Sequence, residues 1–259
     1  MFGFIIEQLS NCSQKASFSS TPGSQPRQPP RFTRPVNTGI ALISVALALA
    51  QSAGARPTKS ALATGGWPCC FWLAKSCLDG VWKEAVGKLD NQPAYYFAAQ
   101  EAAHRAGARI LELGSNHWPV IPIGVFPTNP TAEFFTVDCN YQGLWLMEKV
   151  VDSQQPDWNR RIHRFLADYT QPLPLPDQSI DLAVSCAAFG PVTLDAESCW
   201  AGFLELARVL KPQSRFYCDM ATFESRPAWL LWALLQRFRL RDDWNAGRGR
   251  TLCLEKRGT

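Results

Sequence analysis

Two acidic residues and one glycine end successive apolar runs in this chain, an order that suits a ligand bound along one edge of a sheet. Arg109-Ile110-Leu111-Glu112-Leu113 is a short apolar run that stops at Gly114. Phe134 to Val137 stops at Asp138, and a third run, Arg161 to Leu166, is followed by Asp168. A nucleoside ligand needs a glycine turn that lets backbone approach it. It also needs a carboxylate that accepts both ribose hydroxyls, and a polar side chain at the edge of the base. Gly114 suits the first role, because glycine takes positive φ without steric cost. Asp138 stands where a ribose-diol ligand is expected after such a turn. Asp168 follows in order, and the ring of Tyr169 can stack on a base or meet its edge. Taken singly, each acid fits an ordinary turn or helix cap as well.

Elements of the right kind surround these residues. Cys70 to Val86 has apolar residues at helical spacing, and Ala94 to Ala106 is an alanine-rich helix stopped by Gly107. Strands are expected at Arg109–Leu113, Phe134–Val137, Arg161–Leu166, Ile180–Ser185 and Arg215–Met220, and helices at Tyr141–Val151, Asp195–Leu210 and Ala228–Phe238. Lys211-Pro212 should end the helix before it, since proline disfavours helix in the preceding residue. Leu240–Trp244 and Thr251–Lys256 flank Asn245-Ala246-Gly247, a hairpin signal. Strands alternating with helices imply an α/β fold with a mainly parallel sheet, and the hairpin adds an antiparallel edge.

The stretch from Asp168 through LPLPDQSIDLAVS, with a later helix ending LELARVLKPQSRFYCDM, resembles the class I S-adenosylmethionine-dependent methyltransferases. The resemblance covers roughly Ala108 to Met220 and is closest to the small-molecule subgroup. It implies a Rossmann-like three-layer sandwich on a seven-stranded sheet, with S-adenosylmethionine as cofactor and a small-molecule acceptor. Cofactor contacts would fall on Glu112, Gly114, Ser115, Asn116, Asp138, Cys139, Asp168, Tyr169 and Ser185. Glu112 would organise the methionine end and Asp168 the adenine amino group. The helices before the first strand would close over the cofactor. The family's E/D-x-G-x-G-x-G becomes Glu112-Leu113-Gly114-Ser115-Asn116-His117-Trp118 here. Asn tolerates left-handed backbone, but Trp118 cannot imitate glycine; its ring either crowds the methionine pocket or packs beneath neighbouring helices. Pro119 suits a first helical position, and Pro122 should break or shorten the helix.

Ser185-Cys186-Ala187-Ala188-Phe189 lacks the Asn/Asp-Pro-Pro-aromatic motif of enzymes that methylate exocyclic or amide nitrogens. No catalytic base is identified; His117 is a candidate by location alone. Cys186 reads as a buried small residue, having no histidine partner. The altered glycine loop keeps a second reading open, a non-catalytic binding or assembly protein on the same fold. A nicotinamide oxidoreductase fits Asp138 but lacks both G-x-G-x-x-G and a Tyr-x-x-x-Lys pair.

Net charge is +4. In the first 60 residues Lys15, Arg27, Arg31, Arg34, Arg56 and Lys59 face only Glu7, so the remainder is close to neutral. No basic footprint for nucleic acid results. The nine cysteines form no paired CxxC motif, and the three histidines lack ligand spacing, so no metal site is expected. The ten tryptophans are expected in the core and helix packing. Residues 1–64 read as a disordered or targeting extension and 65–259 as the domain. Gly39 to Ala50 is apolar but shorter than the roughly 20 residues of a membrane span, and Ala53-Gly54-Ala55 follows like a cleavage site. The Ser-rich, basic lead resembles a transit peptide. It implies plastid or mitochondrion, and otherwise the cytoplasm.

Overall fold

The structure, a computed structural model, describes residues 67–190, 193–219, 222–223, 226–245 and 250–258. The N-terminal extension and the Ala246-Gly247 turn lie outside the described residues. The chain divides into two compact units, Met1–Cys77 and Leu78–Thr259. All the strands belong to the second.

In chain order the elements are α1 (Trp67–Asn91), α2 (Pro93–Ala103), β1 (Arg109–Leu113), α3 (Val120–Val125), β2 (Glu133–Asp138) and α4 (Tyr141–Gln154). A 3-10 turn (Pro156–Arg161) leads to β3 (Ile162–Leu166) and β4 (Ile180–Ser185). Then come α5 (Ala196–Val209), β5 (Leu210–Asp219), α6 (Ala228–Arg237), β6 (Phe238–Asn245) and β7 (Arg250–Lys256). The seven strands lie in the order β3-β2-β1-β4-β5-β7-β6. β1 to β5 pair in parallel, and β7 runs antiparallel to both β5 and β6. The Rossmann-like, mainly parallel sheet expected from the sequence is the one observed. Strand order reverses between β1 and β4, and open α/β sheets bind ligands at the carboxyl ends of the strands flanking such a switch point.

Side chains alternate across each strand and so build two cores. Leu111, Leu113, Phe135 and Val137 face one layer with α5 and α6; Ile110, Phe134, Leu182 and Val184 face the layer of α2 and α3. Glu112 shares the second face with Ile110. In the first layer Phe203 stacks on Phe189 at 4.8 Å and meets Phe216, Phe223 and Phe238. In the second, the alanines of α2 let α3 approach so closely that a Cβ on Gly124 would collide with Ala99. Asn140 caps α4 by accepting from the Gly143 N–H (3.1 Å), and Asp195 caps α5 by accepting from Ser198 (2.7 Å).

Three local expectations change. Lys211-Pro212 lies inside β5 rather than at the end of α5, which stops at Val209; β5 starts at Leu210, and the register against β4 shifts between Ile180 and Leu182. Gln213 takes φ 64°, so Pro212 sits in a bulge, where a strand tolerates a missing N–H. Pro119 is the N-cap of α3 rather than its first residue, and Pro122 lies inside this six-residue helix. Of the tryptophans whose burial is described, Trp118, Trp158 and Trp200 pack half-buried against the cores, Trp82 and Trp145 are half-buried, and Trp229 and Trp232 are exposed. Phenylalanine fills the core instead.

Candidate functional site

At the carboxyl ends of β1, β2 and β3 stand Glu112, Asp138 and, just past β3, Asp168. Glu112 is completely buried. Its Oε1 accepts a hydrogen bond from the Tyr95 hydroxyl at 2.6 Å, whereas Oε2 is buried without a partner among the described residues. Burial lifts its pKa to about 8, with Asp138 adding to the rise and the Tyr95 hydroxyl and Lys88 opposing it. Tyr95 belongs to α2, which lies on the face of β1 that carries Glu112. The Cys186 thiol beyond β4 lies against the same hydroxyl, and burial raises both groups well above their usual range.

Asp138 ties the two loops of the site together. Oδ2 accepts from the Asn116 N–H at 2.7 Å and Oδ1 from the Asn140 N–H at 2.8 Å. Burial still raises its pKa, so these bonds do not fully offset the loss of water. Each oxygen keeps further lone-pair capacity, which a pair of ribose hydroxyls could use. Asp168 is exposed, and its Oδ1 accepts from the N–H and hydroxyl of Thr170, an Asx turn. Cys139 is exposed between Asp138 and Asp168, and both carboxylates raise its pKa after burial has done so. Glu112, Asp138, Cys139 and Asp168 therefore converge on one edge.

The other expected contacts are committed within the fold. Ser115 and Thr136 hydroxyls hydrogen-bond to each other, and the Ser185 hydroxyl donates to the Leu113 carbonyl at 3.0 Å. Tyr169 is buried, donates its hydroxyl to the Ala188 carbonyl (2.7 Å) and packs on Phe189. Gly114 takes φ 76°, and the place of its absent Cβ is filled by the Ala188 methyl. Asn116 takes φ 54°, the left-handed backbone anticipated for it, and its Oδ1 accepts from Asn140 Nδ2 at 3.2 Å. That side chain lies in the space left by Gly143 in the first turn of α4. The asparagine in the glycine loop and the glycine in the helix are thus a matched pair. Gly143→Ala would drive a methyl into Asn116, at an expected cost of about 1–3 kcal/mol. Chemical denaturation should show part of that loss recovered in Gly143→Ala/Asn116→Gly, and simple additivity would show that the two positions do not interact.

Trp118 turns toward the α1–α2 layer. Its ring lies against His117 (4.1 Å between centroids), under the Lys88 ammonium (3.9 Å) and on the second core. Burial and Lys88 lower the His117 pKa to about 4, so its imidazole is neutral at pH 7. Two participants escaped the sequence reading. Tyr95 looked like one more residue of an alanine-rich helix, and Asp219 like the end of a strand. Asp219 Oδ2 accepts from the Ala187 N–H (2.5 Å), holding that residue at φ 66° and the loop after β4 over Gly114. The Pro-rich stretch before β4 is tied down along α5. Arg208 donates to the carbonyls of Leu173 and Leu175, and Glu205 accepts from the Leu173 N–H. Among the described residues no His, Cys, Asp and Glu cluster could hold a metal ion.

Residues 125–218 match a family described as a methyltransferase domain. The match begins within α3, just past the altered glycine loop. A SAM-dependent methyltransferase from Aquifex aeolicus shares the fold at 13% identity and TM-score 0.51, over 70% of this chain and 97% of that one. A chain of the Haloferax volcanii complex containing the Trm112 methyltransferase activator does so at 15% and 0.52, over 68% and 95%. TrmN from Thermus thermophilus is similar at 22% and 0.50, over 62% of this chain and 47% of that chain. Comparison with curated protein sequences found no significant match. Together with the strand order, these matches show the class of fold: residues 125–218 match a methyltransferase domain, and the sheet is that of S-adenosylmethionine-dependent methyltransferases of known structure.

Proposed function

We propose that the chain binds S-adenosylmethionine at the ends of β1, β2 and β3 and transfers its methyl group to a small-molecule acceptor. The observation that carries this reading is Glu112 Oε2, without a partner among the described residues and buried at the switch point beside a second carboxylate. A buried carboxylate without a cation favours its protonated form, and an ammonium group brought to Oε2 supplies the missing partner. The donor set therefore fits the cofactor: Glu112 for the methionine ammonium, Asp138 for the ribose hydroxyls, and Asp168 at the base. When bound, S-adenosylmethionine supplies an electrophilic methyl on a sulfonium. The protein's own part is to align that methyl with an acceptor atom, so that the acceptor–carbon bond would form as the sulfonium–carbon bond breaks, leaving the neutral thioether, with the acceptor's proton passing to solvent. Alignment alone supplies up to roughly 7–11 kcal/mol of a barrier.

Titrating the purified full-length protein with S-adenosylhomocysteine tests the reading. A ligand held by the native state raises the melting temperature. Because Glu112 must be ionised to receive the ammonium, affinity is expected to weaken roughly tenfold per pH unit below about 8. Glu112→Gln should weaken binding at pH 7.5 and flatten this dependence. Without ligand the sign is opposite: a carboxyl whose folded pKa exceeds its ordinary 4.5 contributes stability at low pH that is lost as pH rises toward 8. A well-folded protein with no thermal shift at saturating ligand would favour the second reading, a non-catalytic binding protein. That reading draws on the Ala188 methyl seated over Gly114 and the asparagine in the glycine loop.

A further inference from the structure

Helix α6 leaves three large apolar side chains exposed to solvent. Of its residues only Leu230 and Leu234 are buried. Trp229, Leu231 and Trp232 are 43%, 45% and 67% exposed. Trp229 and Trp232, three apart, share a helix face. Leu240 in β6 is also exposed, on the strand face of Phe238, the residue that anchors β6 in the core beneath α5 and α6.

The charge around this surface is mainly positive. From Arg226 to Arg241 the sequence RPAWLLWALLQRFRLR holds four arginines and no acid, with Asp242 and Asp243 following. Arg226 is used inside the fold, donating to the carbonyls of Phe189 (2.6 Å) and Leu194 (2.8 Å). Arg237 is exposed in the last turn of α6. Exposed Arg257 donates Nε to the carbonyls of Leu235 (3.1 Å) and Phe238 (3.2 Å), which fixes its charge at the same end of the helix. Arg239 and Arg241 share the single carboxylate of Glu255, at 2.6 and 3.3 Å, and leave a net positive charge.

We propose that α6 seats this protein on an anionic lipid surface, Trp229, Leu231 and Trp232 entering the headgroup region while Arg237 and Arg257 meet lipid phosphates. Tryptophan and leucine beside arginines, on a helix with no acidic residue, is the pattern of segments that lie in the membrane interface. A second copy of the chain would bring the same arginines and no answering anions, whereas anionic headgroups complement them. The contact is peripheral: no helix among the described residues is long and apolar enough to cross a membrane. The proposal stands apart from the methyl-transfer reading, because none of these residues belongs to the strand-end site.

Co-sedimentation of the full-length chain with vesicles tests it. Binding is expected to phosphatidylcholine vesicles containing phosphatidylglycerol, weakening as salt screens the arginines. Trp229→Ser/Trp232→Ser should lower the partition coefficient roughly tenfold or more in a protein that still unfolds cooperatively, and Trp232→Ser alone, at the 67% exposed ring, should lower binding with little change in melting temperature. Arg237→Glu provides an independent arm, lowering binding to the anionic vesicles but not to pure phosphatidylcholine. Equal binding by the double tryptophan variant would assign the contact to another segment, such as apolar Gly39–Ala50, and overturn the proposal. So would the absence of vesicle binding, or a dimer that the same substitutions dissolve.

Discussion

Asp138→Ala is expected to weaken the fold and the cofactor site together. The substitution strands the N–H groups of Asn116 and Asn140, which meet opposite oxygens of this carboxylate at 2.7 and 2.8 Å. Buried donors left without acceptors cost about 1–3 kcal/mol each; these two are only partly buried, so a loss of roughly 2 kcal/mol, the lower end for two donors, should appear in denaturant unfolding. Cofactor affinity should fall further still. The glycine loop loses its tie to the loop before α4, and the ribose loses charge-assisted hydrogen bonds worth about 1.5–3 kcal/mol. Asp138→Asn separates the two effects. An amide keeps one acceptor oxygen and turns a donor toward the other N–H, so its binding deficit should exceed what its stability deficit explains. Normal affinity in a folded Asp138→Ala protein would show that this residue only joins two turns.

Trp118→Ala is expected to destabilise the protein by about 3 kcal/mol without improving cofactor binding, as removing a packed aromatic ring does. The sequence alone leaves two directions open for this ring, into the ligand's space or beneath the helices. The structure packs it against the α1–α2 layer, with Lys88 over one face at 3.9 Å and His117 alongside. The lost cation–π contact adds to the lost packing. Calorimetric binding measured beside thermal unfolding decides the matter. A tighter cofactor complex in the alanine variant would mean that the ring obstructs the pocket in solution.

Elements bounded by their own chemistry were legible in the sequence. Arg109–Leu113 and Ile180–Ser185 are apolar runs between turn-forming residues, and both strands have the expected bounds. Asp138 and Asp168 stand at the strand ends where their order implied. What could not be read depends on partners distant in sequence. The Tyr169 hydroxyl is directed by the Ala188 carbonyl, and the Ser185 hydroxyl by that of Leu113. Tyr95 acquires its importance only because α2 crosses the face of β1 that bears Glu112. Pro212 signals a break in any local reading, yet pairing of Ile180 with Leu210 carries the strand past it. Tryptophans are expected in the core and helix packing, and Trp118, Trp158 and Trp200 do pack against the cores, but the space between α5 and the sheet is filled by phenylalanines stacked on one another.

The meeting of β1 and β4 also sets an order of events in folding. β1 can pair with β2 soon after both are made, but its other edge waits for a strand whose Ser185 bonds Leu113 across 72 positions of sequence. Closing so long a loop is slow, and an unpaired strand edge invites association with other chains in the meantime. In the unfolded chain Glu112 meets water and has its ordinary value of 4.5, against about 8 in the folded protein. Its proton affinity therefore rises on folding. A stopped-flow refolding experiment with a pH indicator should see proton uptake near neutral pH in the same slow phase that completes the sheet.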